Sequence, residues 1–402
     1  MAKPSAIAQR VLERRKQAIR LMLEHGDLSK NDIYKMTRYS ISTVISTVDA
    51  LCADGLILPS GIGGASLGRP AQLYTLNPDY GCAIGVDINS NSINISAVNF
   101  RQDTVRQMHW HIPQSKATLI QIIQWVPDLI QELLDGFDKP PRILCIGVAA
   151  PGIIDVEAGA IVRYSRFSGE ENVPVTGLLH QRFQCPVYID KSLNCLATAY
   201  KRQFIERPLD NMVLFSIRTG VGMSCILNGQ IYRGATGQAG EIGHMRLPHS
   251  AARCKCGKIG CLDAEVSIYS IAQKLDNLYQ LRNENGEDLS TAQKMEFFLE
   301  QVETGQPDCL RILDEICYQL SYAVSCVINL LNPGDVFFYG EITRCGSLFL
   351  DRLRSYMDPA ALCPGGKAIS FGIADLSQFA FSEGAAYYAF DAYLKADNRD
   401  VL

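Results

Sequence analysis

Long apolar runs are missing from this chain of 402 residues. No stretch approaches the ~20 consecutive apolar residues that a bilayer core demands, and the opening MAKPSAIAQRVLERRKQ has no apolar centre of the kind a secretory leader carries. Membrane insertion and export are therefore not expected, and a reduced cytoplasm is. The cysteine density of a small secreted scaffold is missing too. The 14 cysteines are scattered over an otherwise ordinary composition, whereas a disulfide framework would crowd them. Nor is charge evenly distributed. The formal net charge is −4, yet residues 1–76 hold ten Lys and Arg against six Asp and Glu, or +4, which leaves −8 on the remainder. A basic head on an acidic body points to an anionic partner at the N-terminus. With 47% hydrophobic residues, the chain is long enough for two or three compact units, because single cores stop growing at roughly 250–300 residues.

One segment concentrates metal-capable side chains. His244, Cys254, Cys256 and Cys261 fall within eighteen residues, in GEIGHMRLPHSAARCKCGKIGCLDAE from Gly240 to Glu265. Three thiolates and one imidazole complete a tetrahedral Cys₃His set, and a saturated set leaves zinc no open position for water. One structural zinc per chain is therefore expected. Two neighbours are not needed by the metal: Glu241, three residues before the histidine, and Asp263, two after the last cysteine. A metal knot could hold both carboxylates inward, and His244 could ligate through one ring nitrogen while presenting the other to a second partner. A plain zinc ribbon with its charged flanks in water satisfies the same spacing. His249, in the same loop, reads as a solvated bystander.

The basic head has a helical period. Apolar residues recur at Val11, Leu12, Ala18, Ile19, Met22 and Leu23, with Arg14, Arg15, Lys16 and Arg20 between them. A first helix should end near His25-Gly26. Ser29 is a good N-cap for a short second helix to about Thr37, with Asp32 behind it favouring the helix dipole. Ser40 caps a third, in which Ile41, Val44, Ile45, Val48 and Leu51 are expected to face inward and Ser42, Thr43, Ser46 and Thr47 outward. Small hydroxyl residues there suit close approach to phosphates and base edges. After Gly55, strands around Leu56–Leu58 and Gln72–Leu76 flank a glycine-rich loop. Three helices followed by such a hairpin predict a winged helix-turn-helix. Arg14, Arg15 and Arg38 would then meet phosphates, Ser42, Thr43 and Ser46 would read bases, and Arg69 on the wing would enter a narrow A·T minor groove.

After Asn77-Pro78, strands and helices alternate. Cys82–Phe100 reads as a strand, a polar turn and a second strand; a strand, a Pro151-Gly152 turn and a hairpin follow from Ile143. Another hairpin, with Gly220 and Gly222 at its turn, leads from Leu214 into the metal segment. Ile316–Leu331, apolar all round, reads as a central core helix with a possible share in a subunit contact.

These motifs resemble the ROK family of sugar kinases and sugar-responsive repressors, and specifically its repressor branch, the Mlc and NagC type. The resemblance rests on Gly240-Glu241-Ile242-Gly243-His244, on Cys254–Cys261, on Ala150-Pro151-Gly152, and on Asn332-Pro333-Gly334-Asp335 leading to Tyr339-Gly340-Glu341. It implies that Glu241 and His244 contact sugar hydroxyls while His244 also holds zinc, and that Asp263 stands where the family has a sugar-contacting Glu. Asn194 and Arg166 fall at two further sugar-contacting positions of the family. A cation at Arg166, where the family has Asn, would favour an anionic sugar.

Two departures separate kinase from regulator. The family's kinases carry Pro-Val-x-Val-Glu-Asn-Asp-Ala-Asn, whose second acidic residue is the general base; Pro186–Asn194 aligns with it and puts Ser192 at the base. A hydroxyl does not accept a proton at neutral pH as a carboxylate does, and losing a general base typically costs about 10²–10⁴-fold. The turn from Asp87 to Ser92 contains no glycine, whereas kinases of this actin-like fold use glycines there to bring backbone N–H groups to phosphate.

The sequence thus predicts an α/β chain: a winged helix-turn-helix over 1–80, then a two-lobed actin-like ROK domain over 81–402. Lobe 1 would take about 81–190 and the C-terminal helix at about 380–402, and lobe 2 about 191–379. The expected partners are an A·T-rich, pseudo-palindromic double-stranded DNA operator, a carbohydrate effector or a regulatory protein, and a second copy in a homodimer or homotetramer. The alternative is a sugar kinase with an appended DNA-binding domain.

Overall fold

The computed structural model describes residues 6–63, 71–89, 91–113, 117–164, 167, 169–204, 207–357 and 368–396. It divides into two compact units, 1–205 with 377–402, and 206–376.

The first unit begins with a head of helices α1 (Ala6–His25), α2 (Lys30–Met36) and α3 (Ile41–Ala53) and strands β1 (Leu28–Ser29), β2 (Ile57–Ile62) and β3 (Gln72–Leu76). The strands form an antiparallel sheet in the order β1-β3-β2. Both expected caps are present. Ser29 and Asp32 form a reciprocal capping box at the start of α2, and Ser40 Oγ accepts from Thr43 N at 3.3 Å at the start of α3. Ala18, Ile19, Met22, Ile33, Val44, Val48 and Leu51 are buried between the helices. Ile41 and Ile45, expected inside, are 47% and 41% exposed. Val44, Val48 and Leu51 make a narrow stripe by themselves, and at 100° per residue Ile41 and Ile45 lie on its flank beside Ser42 and Ser46.

The rest of this unit is built on a five-stranded mixed sheet. Its strands are β4 (Cys82–Ile88), β5 (Ser92–Asn99), β6 (Thr104–His111), β7 (Ile143–Ala150) and, after the small antiparallel sheet of β8 (Ile153–Asp155), β9 (Ala160–Arg163) and β10 (Glu171–Pro174), β11 (Val187–Lys191). The order is β11-β7-β4-β5-β6, with β11, β7 and β4 parallel. Alternation sends Ile84, Val86, Ile95, Ile146 and Val148 to one face. There they pack with Ile122, Ile123, Val126 and Ile130 of α4 (Leu119–Asp135). Helices α5 (Thr176–Phe183) and α6 (Ser192–Lys201) flank β11. Ala83, Val98, Leu144 and Cys145 join head residues and the C-terminal helix (Ala380–Lys395) in a separate apolar cluster. That helix lies very close to the sheet. A Cβ on Gly85 would sit 1.8 Å from Ser382 O, and one on Gly147 1.9 Å from Ala385 O.

The second unit repeats the theme with β12 (Met212–Ile217), β13 (Val221–Leu227), β14 (Gln230–Ile231), β15 (Asp335–Tyr339) and β16 (Ser370–Ile373), ordered β14-β13-β12-β15-β16. Its helices are α7 (Asp263–Val266), α8 (Ile268–Tyr279), α9 (Thr291–Glu303), α10 (Pro307–Leu331) and α11 (Gly346–Ser355). Phe215, Phe338 and Phe349 fill the core with one face of α10, including Ile316, Leu320, Val324 and Val327. The expectation that Ile316–Leu331 is buried all round does not hold. Tyr318, Tyr322 and Leu330 on the outer face are 59%, 45% and 81% exposed, because α10 covers one side of the sheet only. Among the described residues, no helix is long and apolar enough to cross a membrane.

Candidate functional site

The four metal-capable side chains converge. Ligand atoms of His244, Cys254, Cys256 and Cys261 all lie within 4.8 Å of one another. Cys256 Sγ is 3.7 Å from Cys261 Sγ, and Cys254 Sγ is 3.9 Å from His244 Nδ1. Two thiolates ~2.3 Å from a common tetrahedral ion would stand about 3.8 Å apart, so the donor set fits zinc. The backbone builds this knot locally. Cys254 N donates to Lys258 O and Gly257 N to Cys254 O, closing a tight turn. Gly257 turns the chain at φ +89, in the left-handed region where a side chain would be strained. Isolated bridges Arg246–Cys261 and Arg253–Ile259 tie the two arms together. Burial and the adjoining thiols push Cys261 up to about 12, and a bound cation would reverse this by favouring thiolate.

Around the knot, Glu241 and His244 are exposed and Asp263 is half-buried. Asp263 Oδ1 accepts from Val221 N at 2.7 Å, which ties the end of the metal segment to the first residue of β13. Burial raises its pKa, against that hydrogen bond and the nearby His244 and Lys255, which lower it. The second unit thus carries Glu241, His244 and Asp263, while Asn194 belongs to the first. Arg166 lies outside the described residues.

In the first unit Asp190 is 2% exposed, and its Oδ1 accepts from Asn194 Nδ2 and from Lys191 N, both at 2.8 Å. Ser192 opens α6 two residues after Asp190. At the end of β4, Asp87 Oδ2 accepts from the side-chain amides of Asn89 at 2.8 Å and Asn94 at 3.2 Å. His109 Nδ1 donates to Asn94 Oδ1 at 2.7 Å. Sequence reading missed this network. Asparagine two residues past Asp87, and again on the facing strand, was its available signal.

On the head, Ser42 and Ser46 are exposed at the start of α3 together with Ile41 and Ile45. Thr43 is half-buried, with its hydroxyl 2.8 Å from Ser40 Oγ. Arg38 is exposed, and Arg14 lies over the Tyr39 ring at 5.6 Å. Arg15 differs from expectation: its guanidinium bonds Asp54 at 2.6 Å and its side chain is only 12% exposed, so it braces α1 against the end of α3. Arg69 lies outside the described residues.

The sequence profile of the ROK family matches residues 83–392. The chain is 27% identical over 351 residues to the xylose repressor of Caldicellulosiruptor bescii, covering 85% of this chain and 86% of that protein. Among solved structures, a ROK family transcriptional regulator, a homologue of the E. coli Mlc protein, superposes with a TM-score of 0.79 at 20% identity, over 94% of this chain and 96% of its own. A ROK family glucokinase from Streptomyces griseus, solved with glucose and AMPPNP, gives 0.63 at 20% identity, over 77% of this chain and 100% of its own. Two mixed five-stranded sheets give the α/β actin-like architecture that goes with these likenesses, and the Cys₃His knot belongs to the second unit. The match over well more than half of the sequence makes the conclusion plain: the chain belongs to the ROK family.

Proposed function

We propose that this chain is a sugar-responsive transcriptional regulator, acting as a repressor of carbohydrate uptake or catabolism genes in the cytoplasm. The observation that carries this reading is the capped head: three helices and a hairpin, basic in charge, set on a ROK body. In this reading residues 1–80 are a winged helix-turn-helix and residues 81–402 are the sensing body, and two copies present two heads to a pseudo-palindromic, A·T-rich operator. The xylose repressor and the Mlc homologue, both aligned over most of this chain, support it.

On the head, Ser42 and Ser46 read base edges, and Ile41 and Ile45 add apolar contacts to thymine methyls. Arg14 and Arg38 meet phosphates and Arg69 enters the minor groove. Arg15 serves the scaffold through Asp54, and Thr43 serves the cap.

In the body, His244, Cys254, Cys256 and Cys261 would hold a structural zinc, which supplies a cross-link rather than a reacting water. Glu241, His244 and Asp263 present hydroxyl-binding groups to a carbohydrate, and Asn194 and Arg166 are proposed as further sugar contacts. The chain does not phosphorylate that carbohydrate. Ser192 is no general base, and the nearest carboxylate, Asp190, is buried and engaged by Asn194. Purified protein incubated with ATP and a panel of hexoses tests this. The expected result is no hexose-dependent ATP turnover, with at least one sugar or sugar phosphate binding by calorimetry. Turnover at rates normal for a kinase would instead make the chain an enzyme.

A further inference from the structure

Lys16 is fully buried, at 0% exposure, on the inner side of α1. A lysine in that position must satisfy its ammonium or pay heavily in lost hydration. Lys16 does so at the far end of the sequence. Its Nζ donates to Ala396 O at 2.8 Å and Lys395 O at 3.4 Å, with Glu13 Oε1 at 3.5 Å. Arg20, one turn along α1, reaches Leu394 O at 3.5 Å. These are carbonyls at the C-terminus of a helix, which lack intrahelical partners and carry its negative dipole end, so cations are favoured there. Apolar packing continues the junction. Ala18, Ile19 and Met22 of α1 share one cluster with Phe390, Tyr393 and Leu394 of the C-terminal helix.

The same helix is gripped along its length by lobe 1. Besides the contacts at Gly85 of β4 and Gly147 of β7, a Cβ on Gly384 would fall 1.8 Å from Cys195 O of α6. Near the end of α6, Arg202 stacks on Tyr387 at 4.4 Å. β4 carries Asp87 next to its last residue, β7 runs into Ala150-Pro151-Gly152, and α6 starts at Ser192 and contains Asn194. Three elements that carry the candidate site of this unit thus touch the helix backbone with no side chain between to absorb a shift.

We infer that the C-terminal helix is a rigid strut setting the position of the head on lobe 1, and that Lys16, assisted by Arg20, is the lock at its end. The head is then a fixed arm, so the separation of two heads in a dimer follows from the body. That last step rests on the DNA-binding reading; the lock does not.

The test uses the full-length protein with Lys16→Met, which keeps an apolar stem and removes the ammonium, and Lys16→Arg, which keeps a cation. Hydrogen exchange by mass spectrometry should show about tenfold faster exchange in Lys16→Met for both α1 and residues 385–396. The metal segment 240–265 should be unchanged, and Lys16→Arg should lie nearer wild type. Unchanged exchange in both segments, or opening of α1 alone, overturns the lock. If Lys16→Met does not fold, Arg20→Gln at the rim carries the same comparison: joint opening supports the lock, and its absence overturns it. DNA supplies the second readout. On the best selected site, moving the half-sites apart by half a helical turn should cost the wild type about 100-fold in affinity and Lys16→Met less than about tenfold. Equal losses overturn the fixed arm. If neither protein binds DNA, the DNA-binding reading fails, while the exchange data still decide the lock.

Discussion

Cys256 is the proposed ligand that the fold needs least for any other purpose, because it is exposed and its neighbours Cys254 and Cys261 are buried. Cys256→Ser therefore isolates the metal from packing. Zinc content should fall from one per chain, with an affinity loss beyond the about 10–100-fold typical of outer-shell changes, and the melting temperature should drop. Full occupancy with a wild-type melting curve would remove the assignment. The Cys₃His cluster was legible because sulfur and imidazole at short spacing have few other uses. The head residues proposed to face DNA were less so, because helical periodicity does not distinguish an apolar residue that packs from one that would read thymine. Ile45 is exposed, and the proposed function puts it in the second group. Ile45→Ala should weaken binding by about 1–2 kcal/mol on sites with a contacted thymine and little when cytosine replaces it. Arg38→Ala should weaken binding on all sequences alike and lower the salt slope by about one unit or less. Binding titrations over salt and over single-base variants separate the two.

At the scale of elements, caps and turns carried the reading. Ser29 and Ser40 start α2 and α3 where a hydroxyl before an apolar-periodic segment predicts, since the first amides of a helix need an acceptor. Ser29→Ala should cost about 1 kcal/mol at pH 7, measured by thermal unfolding. Its partner Asp32 has its pKa lowered by hydrogen bonds from the Ser29 side chain and backbone. That part of the cap is present above the ordinary carboxylate range and is lost as pH falls through the depressed folded-state value. The destabilisation by Ser29→Ala should therefore shrink toward acid. An undiminished difference at low pH would exclude the Asp32 share. The all-round hydrophobicity of Ile316–Leu331 misled for a physical reason. Tyrosine and leucine occur on solvent faces as well as in cores, so composition alone does not orient α10.

For the whole molecule, motif order gave the architecture: head, hairpin lobe, metal segment, second sheet. What it could not give was proximity between distant parts of the chain. Lys16 reads as one more residue of a basic face, and only folding puts it on the carbonyls of Lys395 and Ala396. The polar ring about Asp87, drawn from β4, β5 and β6, was hidden for the same reason. A repressor of the proposed kind acts on DNA. Genomic footprinting of the protein in cells, with and without the sugar that binds it in calorimetry, tests this most directly. The expected result is occupancy at a small set of A·T-rich, two-fold symmetric sites beside carbohydrate uptake or catabolism genes, reduced when the sugar is supplied. Absence of site-specific occupancy under both conditions would contradict it.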